Sequence, residues 1–197
     1  WPNLMRRQEP VEGSMTRPLI LLHGMTGHAL DFKTLVDRVQ RPVYAINLLG
    51  HGMTGYLSLK SHALSLYEDQ VEERASPSYA QVVAQCISII EQLMNLDDYK
   101  EFDLLGYSMG GRLALHIAHE LQSLEMECVL NHVYTIGASL GIEDKEERKE
   151  RAHADRRWSD ALWTTEELDH FLTQWNAQPL LKRVLERSPH EAKRLNQ

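Results

Sequence analysis

Short apolar runs alternate with longer amphipathic segments along the first 141 residues of the chain. The runs have the length of buried strands and lie at Leu19–Leu22, Val43–Ile46, 102–105 and Val129–Ile136. Between them, residues 31–39 and 79–93 carry apolar side chains at helical spacing, and Ser76-Pro77 is a typical helix start. Strands that alternate with amphipathic helices predict an α/β fold, with a parallel sheet covered by helices on both faces.

Three segments lie outside this alternation. Residues 1–18 contain three prolines, one glycine and little periodicity, so they predict a loose lead-in. Residues 55–76 are polar and irregular, as an inserted loop is, and after residue 141 only helical patterns follow. We therefore expect a lead-in over 1–18, an α/β core over 19–141 with an inserted loop over 55–76, and a helical cap over 142–197.

The cap sequence carries its own helix signals. Residues 143–158 are almost all polar, and they place Glu147 before Arg151 at the i,i+4 spacing of a helix ion pair. Thr164 with Glu167 resembles a capping box ahead of an apolar helix face. The sequence thus predicts two cap helices above the sheet.

Composition and charge narrow the possible partners. A chain of 197 residues with 43% hydrophobic and 25% charged residues is typical of one globular domain. Its formal charge of −7, with no separate basic cluster, argues against nucleic acid and membrane as partners. Cys86 and Cys128 lie in apolar surroundings, which favours buried thiols over a disulfide framework. No apolar stretch approaches the roughly 20 residues of a membrane-spanning helix.

The pattern Gly-Xaa-Ser-Xaa-Gly occupies positions 106–110, between a predicted strand and a predicted helix. Strand, tight glycine turn and helix form the setting in which a nucleophile elbow lifts a serine hydroxyl above a sheet. Gly106 and Gly110 leave room for close packing beside a strained serine. We therefore interpret Ser108 as an activated nucleophile or base. The alternative is a serine in a turn beside a helix.

Such a serine needs main-chain N–H groups that hold developing negative charge. Met109, directly after the serine, supplies one candidate donor. Met25 supplies the other, because it follows His23-Gly24 at the end of the first predicted strand. His51, in the glycine turn after the second strand, favours a structural role over a catalytic one.

The segments "LLHGMTG", "LLGHG" and "LLGYSMGGRLAL" resemble the α/β-hydrolase superfamily. The segments "GIEDKEERKERAHADRRW" and "ELDHFLTQWNAQPLL" narrow the resemblance to the menaquinone-pathway SHCHC synthases (2-succinyl-6-hydroxy-2,4-cyclohexadiene-1-carboxylate synthases), over about residues 19–181. The resemblance implies a lyase that eliminates pyruvate from 2-succinyl-5-enolpyruvyl-6-hydroxy-3-cyclohexene-1-carboxylate, without a metal or an organic cofactor. Ser108, activated by a histidine, would then remove a proton next to a carbonyl.

The substrate that this resemblance implies is a small-molecule polycarboxylate, and arginine is the side chain best shaped to grip a carboxylate in two places. The resemblance implies substrate-binding roles for Tyr107, Arg112, Arg151, Trp175 and Arg194. Simpler alternatives stay open for four of these residues: a pocket wall for Tyr107, a solvated helix position for Arg112, an ion pair with Glu147 for Arg151, and cap packing for Trp175.

The histidine and the carboxylate that should follow Ser108 in chain order are not found on later strands. His153, His170 and His190 lie in helical sequence, which favours surface positions over the role of base. The chain also begins at Trp1 rather than Met. We therefore expect a fragment that lacks the C-terminal strands of the fold, the first two thirds of an enzyme, which is nearly inactive by itself.

Two other functions stay open. An ester or thioester hydrolase would use the same serine and N–H donors but would have no use for an arginine-lined pocket. The other is a non-catalytic binding protein of this fold, or an inactive fragment.

Asn47-Leu48 departs from the usual Asp-Leu-Pro run of the SHCHC synthases. The resemblance implies a cytoplasmic protein, or a plastid protein if the source is an alga or a plant, and leaves the oligomeric state unassigned.

Overall fold

The computed structural model describes residues 4–7, 17–51, 78–160 and 165–179. Within these ranges the chain forms a sheet from β1 (Leu4–Arg7), β2 (Leu19–Leu22), β3 (Val43–Ile46), β4 (Glu101–Tyr107) and β5 (Val129–Ile136). The spatial order of the strands is β1-β3-β2-β4-β5. The four runs predicted as strands are therefore all strands.

The helices of the described ranges are α1 (Lys33–Arg38), α2 (Tyr79–Leu96), α3 (Met109–Glu120), α4 (Lys145–Asp160) and α5 (Thr165–Asn176), with a 3-10 turn over Ala29–Phe32 ahead of α1. None of the helices in the described part of the chain is both long and apolar enough to cross a bilayer.

Strands β2 to β5 pair in parallel, so their carboxyl ends lie along one edge of the sheet. At that edge Leu22 of β2 is opposite Ile46 on one side and Gly106 on the other. Strand β1 was not predicted: it falls in the expected lead-in and pairs antiparallel with β3, Leu4 opposite Ile46. Main-chain hydrogen bonds to an edge strand need no side-chain periodicity, so the apolar pattern did not indicate it.

Both faces of the central strands are buried. Ile20 and Leu22 of β2 belong to a large cluster with apolar residues of α2 and α3. Leu19 and Leu21 belong to a smaller cluster with the 3-10 turn and α1. Because successive strand residues point to opposite faces, burial on both sides explains why these strands read as continuous apolar runs.

The two cysteines are buried free thiols, as the sequence predicted. Burial raises the pKa of the Cys86 thiol to about 12. Burial also raises the pKa of Cys128 above its ordinary value. Both thiols are part of the apolar core rather than reactive groups.

Helix α2 begins two residues later than the predicted start at Ser76-Pro77. Its capping residue is Ser78: the Gln81 N–H donates to Ser78 Oγ at 3.2 Å, and the Ser78 N–H donates to Gln81 Oε1 at 2.7 Å. This capping box satisfies two N–H groups of the first turn. Ser76 and Pro77 lie outside the described residues, as does the predicted loop 55–76.

The chain divides into two compact units, Trp1–Leu140 and Gly141–Gln197.

In the second unit, Asp144 precedes α4, and its Oδ1 accepts from the N–H groups of Glu146 and Glu147 at 2.9 Å each. The alternative of an ion pair between Glu147 and Arg151 is not what the described residues show: Arg151 Nε donates to Asp155 Oδ1 at 2.8 Å instead. Glu147 lies in the first turn of α4, where the helix dipole favours an acidic side chain.

Candidate functional site

Ser108 lies in a tight turn between β4 and α3, at the carboxyl edge of the sheet. Its backbone has φ 53° and ψ −113°, a conformation that residues other than glycine rarely adopt. The Ser108 N–H donates to the Ile136 carbonyl of β5 at 2.8 Å. The Ser108 carbonyl accepts from Gly111 and Arg112 in the first turn of α3, at 3.0 and 3.3 Å. The sheet and the helix therefore hold the strained residue from both sides.

The glycines around Ser108 are required by close contacts between main chains. A Cβ on Gly106 would lie 2.1 Å from the Gly110 carbonyl oxygen, and a Cβ on Gly110 would lie 2.1 Å from the Leu22 carbonyl oxygen. A Cβ on Gly111 would lie 2.6 Å from the Cβ of Ala138. Helix α3 approaches β2 and β4 this closely only because the glycines have no side chain.

The turn after β2 lies directly against the serine. A Cβ on Gly24 would lie 3.5 Å from Ser108 Cβ and 3.1 Å from the Tyr107 ring. Met25 follows Gly24 in this turn and is half-buried. Met109 is the first residue of α3, so its N–H has no partner within the helix. The structure therefore brings the turn of Met25 next to Ser108 and Met109, the residues predicted to act together.

His23 holds this turn through hydrogen bonds of both its ring nitrogens. It is buried, its Nδ1 donates to the Gly24 carbonyl at 2.7 Å, and its Nε2 accepts from the Leu48 N–H at 3.0 Å. These partners require the neutral ring with hydrogen on Nδ1. Burial is the main reason why the pKa of His23 falls from 6.5 to about 4, although the hydrogen bond to Gly24 opposes the fall. His23 therefore stays uncharged at neutral pH.

Two more contacts join the turn after β2 to the turn after β3. Asn47 Oδ1 accepts from the Ala29 N–H at 2.7 Å, and His51 Nε2 lies 2.5 Å from the Met25 carbonyl oxygen. The His51 ring also meets the His23 ring edge-on, with centroids 4.9 Å apart. The sequence offered no periodic signal for these contacts. Its clue was that polar residues directly follow two apolar strands.

Tyr107 and Arg112 are exposed beside the serine. The Tyr107 ring lies against Gly24 on one side, and on the other a Cβ on Gly137 would be 3.6 Å from the ring. Among the described residues, no carboxylate forms an ion pair with Arg112. Its neighbour is Tyr79 at the start of α2: burial raises the pKa of Tyr79, and the positive charge of Arg112 opposes that rise. The sequence did not indicate that Tyr79 lies beside Arg112.

The other predicted substrate-binding residues lie in the second unit or beyond the described residues. Arg151 is exposed on α4 and paired with Asp155. Trp175 is half-buried on α5, stacked on Phe171 at 5.5 Å and edge-on to Trp158 at 5.9 Å. This aromatic cluster gives Trp175 a packing role within the second unit. Arg194 lies outside the described residues.

No catalytic base is identified among the described residues. In the ranges that the structure covers, no hydrogen bond joins the Ser108 side chain to a histidine or a carboxylate. His153 and His170 are exposed on α4 and α5, which agrees with the predicted surface positions, and His190 lies outside the described residues. The described ranges also contain no group of three His, Cys, Asp or Glu side chains that could hold a metal ion.

Comparison with known proteins finds a matching sequence family and named relatives. A family model described as "Alpha/beta hydrolase family" matches residues 19–195. The 2-succinyl-6-hydroxy-2,4-cyclohexadiene-1-carboxylate synthases of Yersinia pestis (strain Pestoides F) and Yersinia pseudotuberculosis (serotype I, strain IP32953) are each 28% identical over 166 residues. Each match covers 81% of this chain and 50% of the relative, so the chain spans about half the length of these relatives.

Solved structures share the fold. MenH from S. aureus superposes with a TM-score of 0.71 at 20% identity, over 99% of this chain and 64% of MenH. An esterase from Exiguobacterium antarcticum (EaEST) superposes with a TM-score of 0.56 at 16% identity, over 88% of this chain and 55% of the esterase. At these identities the likeness concerns the fold alone.

Proposed function

Because the chain belongs to the alpha/beta hydrolase family, we propose that it carries the serine site of a SHCHC synthase-type lyase, with Ser108 as the group that begins the reaction. The observation that carries the proposal is the strained backbone of Ser108, held in a glycine turn with the turn of Met25 against it. Such strain at a functional site is maintained when the surrounding fold over-determines it. The relatives named SHCHC synthase support the choice of reaction.

The proposed reaction begins when Ser108 takes a proton from a carbon next to a carbonyl of the substrate. The C–H electron pair becomes an enolate, whose oxygen charge is held by the N–H groups of Met25 and Met109. The electron pair then moves through the ring and breaks the C–O bond to the enolpyruvyl group, which leaves and becomes pyruvate on protonation. For this step a histidine must first take the hydroxyl proton of Ser108, and among the described residues no histidine contacts the Ser108 side chain.

The charge around the serine suits a substrate with several carboxylates. Arg112 lies one helical turn after Ser108, is exposed, and has no carboxylate partner among the described residues. Its guanidinium is therefore available to a ligand carboxylate, which it binds through two parallel hydrogen bonds. Tyr107, exposed next to the serine, forms a wall beside it. In this proposal Arg151, Trp175 and Arg194 keep the substrate-binding roles that the resemblance implies.

An ester or thioester hydrolase is the second candidate. The Ser108 turn and the two N–H donors would serve an acyl transfer equally well, because a tetrahedral oxyanion needs the same support as an enolate. The exposed arginine beside the serine is what favours the lyase, since an uncharged ester offers it no partner.

The test measures pyruvate released from 2-succinyl-5-enolpyruvyl-6-hydroxy-3-cyclohexene-1-carboxylate by the full chain, by Ser108→Ala and by Ser88→Ala. Ser88 is exposed on α2 and serves as the matched control. In a form of the protein that supplies the activating histidine, we expect Ser108→Ala to lower release by about 10⁴-fold or more and Ser88→Ala to leave it unchanged, whereas the 197 residues alone should release little. Hydrolysis of p-nitrophenyl acetate without pyruvate release would replace the lyase by a hydrolase. No turnover of either substrate by the form with the activating histidine would favour a non-catalytic protein.

A further inference from the structure

The turn after β3 supplies a side chain that holds the main chain of Met25. We propose that His51 is a positioning residue, which fixes the direction of the Met25 N–H by holding the Met25 carbonyl. The inference rests on the proposed function, in which that N–H receives the oxyanion. His51 itself does not touch the substrate in this proposal.

In the hydrogen bond between His51 and Met25, only His51 can be the donor. The Met25 carbonyl can only accept, so His51 Nε2, at 2.5 Å, must carry the hydrogen and donate it. The other ring nitrogen, Nδ1, lies 3.3 Å from the Leu49 carbonyl, within the turn that carries His51. With the hydrogen on Nε2, Nδ1 of the neutral ring is an acceptor and forms no hydrogen bond with that carbonyl, so the ring is held by its contact with Met25.

Two histidines together restrain both peptide planes around Met25. His23 Nδ1 donates to the Gly24 carbonyl, which belongs to the same peptide plane as the Met25 N–H. In a trans peptide the N–H points away from the carbonyl, so this bond restrains the N–H from the Gly24 side. His51 holds the next plane through the Met25 carbonyl. The two planes meet at the Met25 Cα, so rotation there is restrained only when both are held, and the direction of the N–H depends on both bonds.

The placement explains why a half-buried histidine stands at position 51. A donor in an oxyanion hole is effective only when its nitrogen lies about 2.7–3.1 Å from the developing charge. Loss of a whole donor lowers kcat by about 10²- to 10³-fold. Removal of His51 loosens the donor without deleting it, so we expect a smaller loss, about tenfold, confined to kcat.

Two substitutions separate a positioning role from simple packing. A glutamine side chain can place an N–H about where His Nε2 lies, whereas the shorter asparagine reaches only about as far as Nδ1. His51→Gln should therefore restore most of what His51→Ala loses, and His51→Asn should not. His119→Ala, at an exposed position on α3, is the control. Because glutamine is also larger than asparagine, the carbonyl signal of Met25 decides between the hydrogen bond and simple packing.

The experiment has one readout that needs no turnover. The chain has three Met-Thr pairs, at 15–16, 25–26 and 53–54, so labelling with carbonyl-¹³C methionine and ¹⁵N threonine gives three signals in an HNCO spectrum. Thr26→Ser identifies the Met25 carbonyl signal by removing it. We expect this signal to shift in His51→Ala and His51→Asn, and to return toward its original position in His51→Gln.

The kinetic arm measures kcat and KM for pyruvate release and for p-nitrophenyl acetate with the same variants. We expect kcat to fall about tenfold in His51→Ala, with KM nearly constant and with recovery in His51→Gln. An unchanged Met25 carbonyl signal in His51→Ala, or equal behaviour of the glutamine and alanine variants, would overturn the proposal. If only the ester is turned over, with the same dependence on His51, the lyase function fails and the role of His51 stands. If neither substrate is turned over, the carbonyl signal decides.

Discussion

Ser108 holds a left-handed backbone conformation that costs a residue other than glycine roughly 1–3 kcal/mol. Tight packing around the serine maintains that conformation. The glycines beside it let the carbonyls of β2 and α3 approach to distances that any side chain would prevent. The position of one hydroxyl therefore depends on the absence of side chains at its neighbours.

Gly110→Ala should destabilise the fold by about 3 kcal/mol or more, because its Cβ would lie 2.1 Å from the Leu22 carbonyl oxygen, and a main-chain atom cannot move aside. Gly50→Ala is the matched control: Gly50 has φ 85°, but no atom of the described residues lies within 4 Å of an added Cβ, so only backbone strain of about 1–2 kcal/mol is expected. Urea unfolding of both variants measures the difference. Equal losses would show that strain, not overlap, explains the glycines.

Arg112 is expected to hold a substrate carboxylate. Arg112→Ala should lower kcat/KM for pyruvate release by about 10²-fold, because breaking a desolvated charge pair costs roughly 2–5 kcal/mol. Arg112→Lys should recover only part of the loss, since lysine lacks the two-pronged geometry. Arg38→Ala, at an exposed arginine of α1, is the control. Unchanged kinetics in Arg112→Ala would remove the carboxylate-binding role.

Among the elements, α2 and α3 pack on the same sheet face, and they also meet beside the site. The Tyr79 ring at the start of α2 lies edge-on to the His116 ring of α3, with centroids 5.2 Å apart. Arg112 lies one turn before His116 on α3, so the start of α2 forms part of the surroundings of Arg112. Any change that frays the first turn of α2 also moves a neighbour of Arg112.

Ser78→Ala should lower the free energy of unfolding by about 1 kcal/mol, because it removes the acceptor of the Gln81 N–H in the capping box. Ser88→Ala, in the middle of the same helix, should be neutral or slightly stabilising, since Ser88 Oγ only accepts a surface bond from Gln92. Thermal unfolding followed by circular dichroism compares the two variants. A larger loss in Ser88→Ala would contradict the capping role of Ser78.

At the scale of the whole molecule, buried polar side chains join segments that are distant in sequence. His23 links the turns after β2 and β3. Asp103 of β4 is buried and contacts both Arg41 and His132. Burial alone would raise the pKa of Asp103, but the hydrogen bonds from Arg41 and His132 outweigh it and leave that pKa below its ordinary value. His23 and Asp103 therefore both make the stability of the fold depend on pH, each over its own pH range.

His23 should make the fold lose stability between pH 6.5 and about pH 4. The unfolded state binds a proton near pH 6.5, whereas the folded state, with the pKa of His23 lowered to about 4, does not. The contribution is therefore complete above pH 6.5 and decreases by roughly 3 kcal/mol as the pH falls to 4. Asp103 adds a loss only below its ordinary pKa, near pH 4 and lower.

Urea unfolding at intervals between pH 7 and pH 4 checks this expectation. His23→Asn should be less stable at pH 7 and should lose less stability over the same window, while His119→Asn, at an exposed position, should follow the parent chain. A parent chain with constant stability between pH 6.5 and pH 4.5 would show that His23 is not held neutral.

The sequence by itself determined the four parallel strands, the helices between them and the glycine turn around Ser108. Strands β2 and β3 are buried on both faces and therefore apolar throughout, whereas β5 is largely exposed and was indicated by its apolar residues alone. The turn around Ser108 follows from spacing, because a tight turn must have small residues. Family comparison confirms the α/β-hydrolase fold that the resemblance implied. The substrate-binding roles of Tyr107, Arg112, Arg151, Trp175 and Arg194 stay predictions.

Only the tertiary structure decided which residues support the serine. The contacts of His23 with Leu48 and of His51 with Met25 join positions 25 and 26 residues apart, and they exist because parallel pairing brings two strand ends to the same edge. Strand β1 and the partner of Arg151 also escaped prediction. An edge strand needs only main-chain bonds, and two acidic residues at i−4 and i+4 compete for one arginine. Such choices depend on three-dimensional neighbours, which no local pattern encodes.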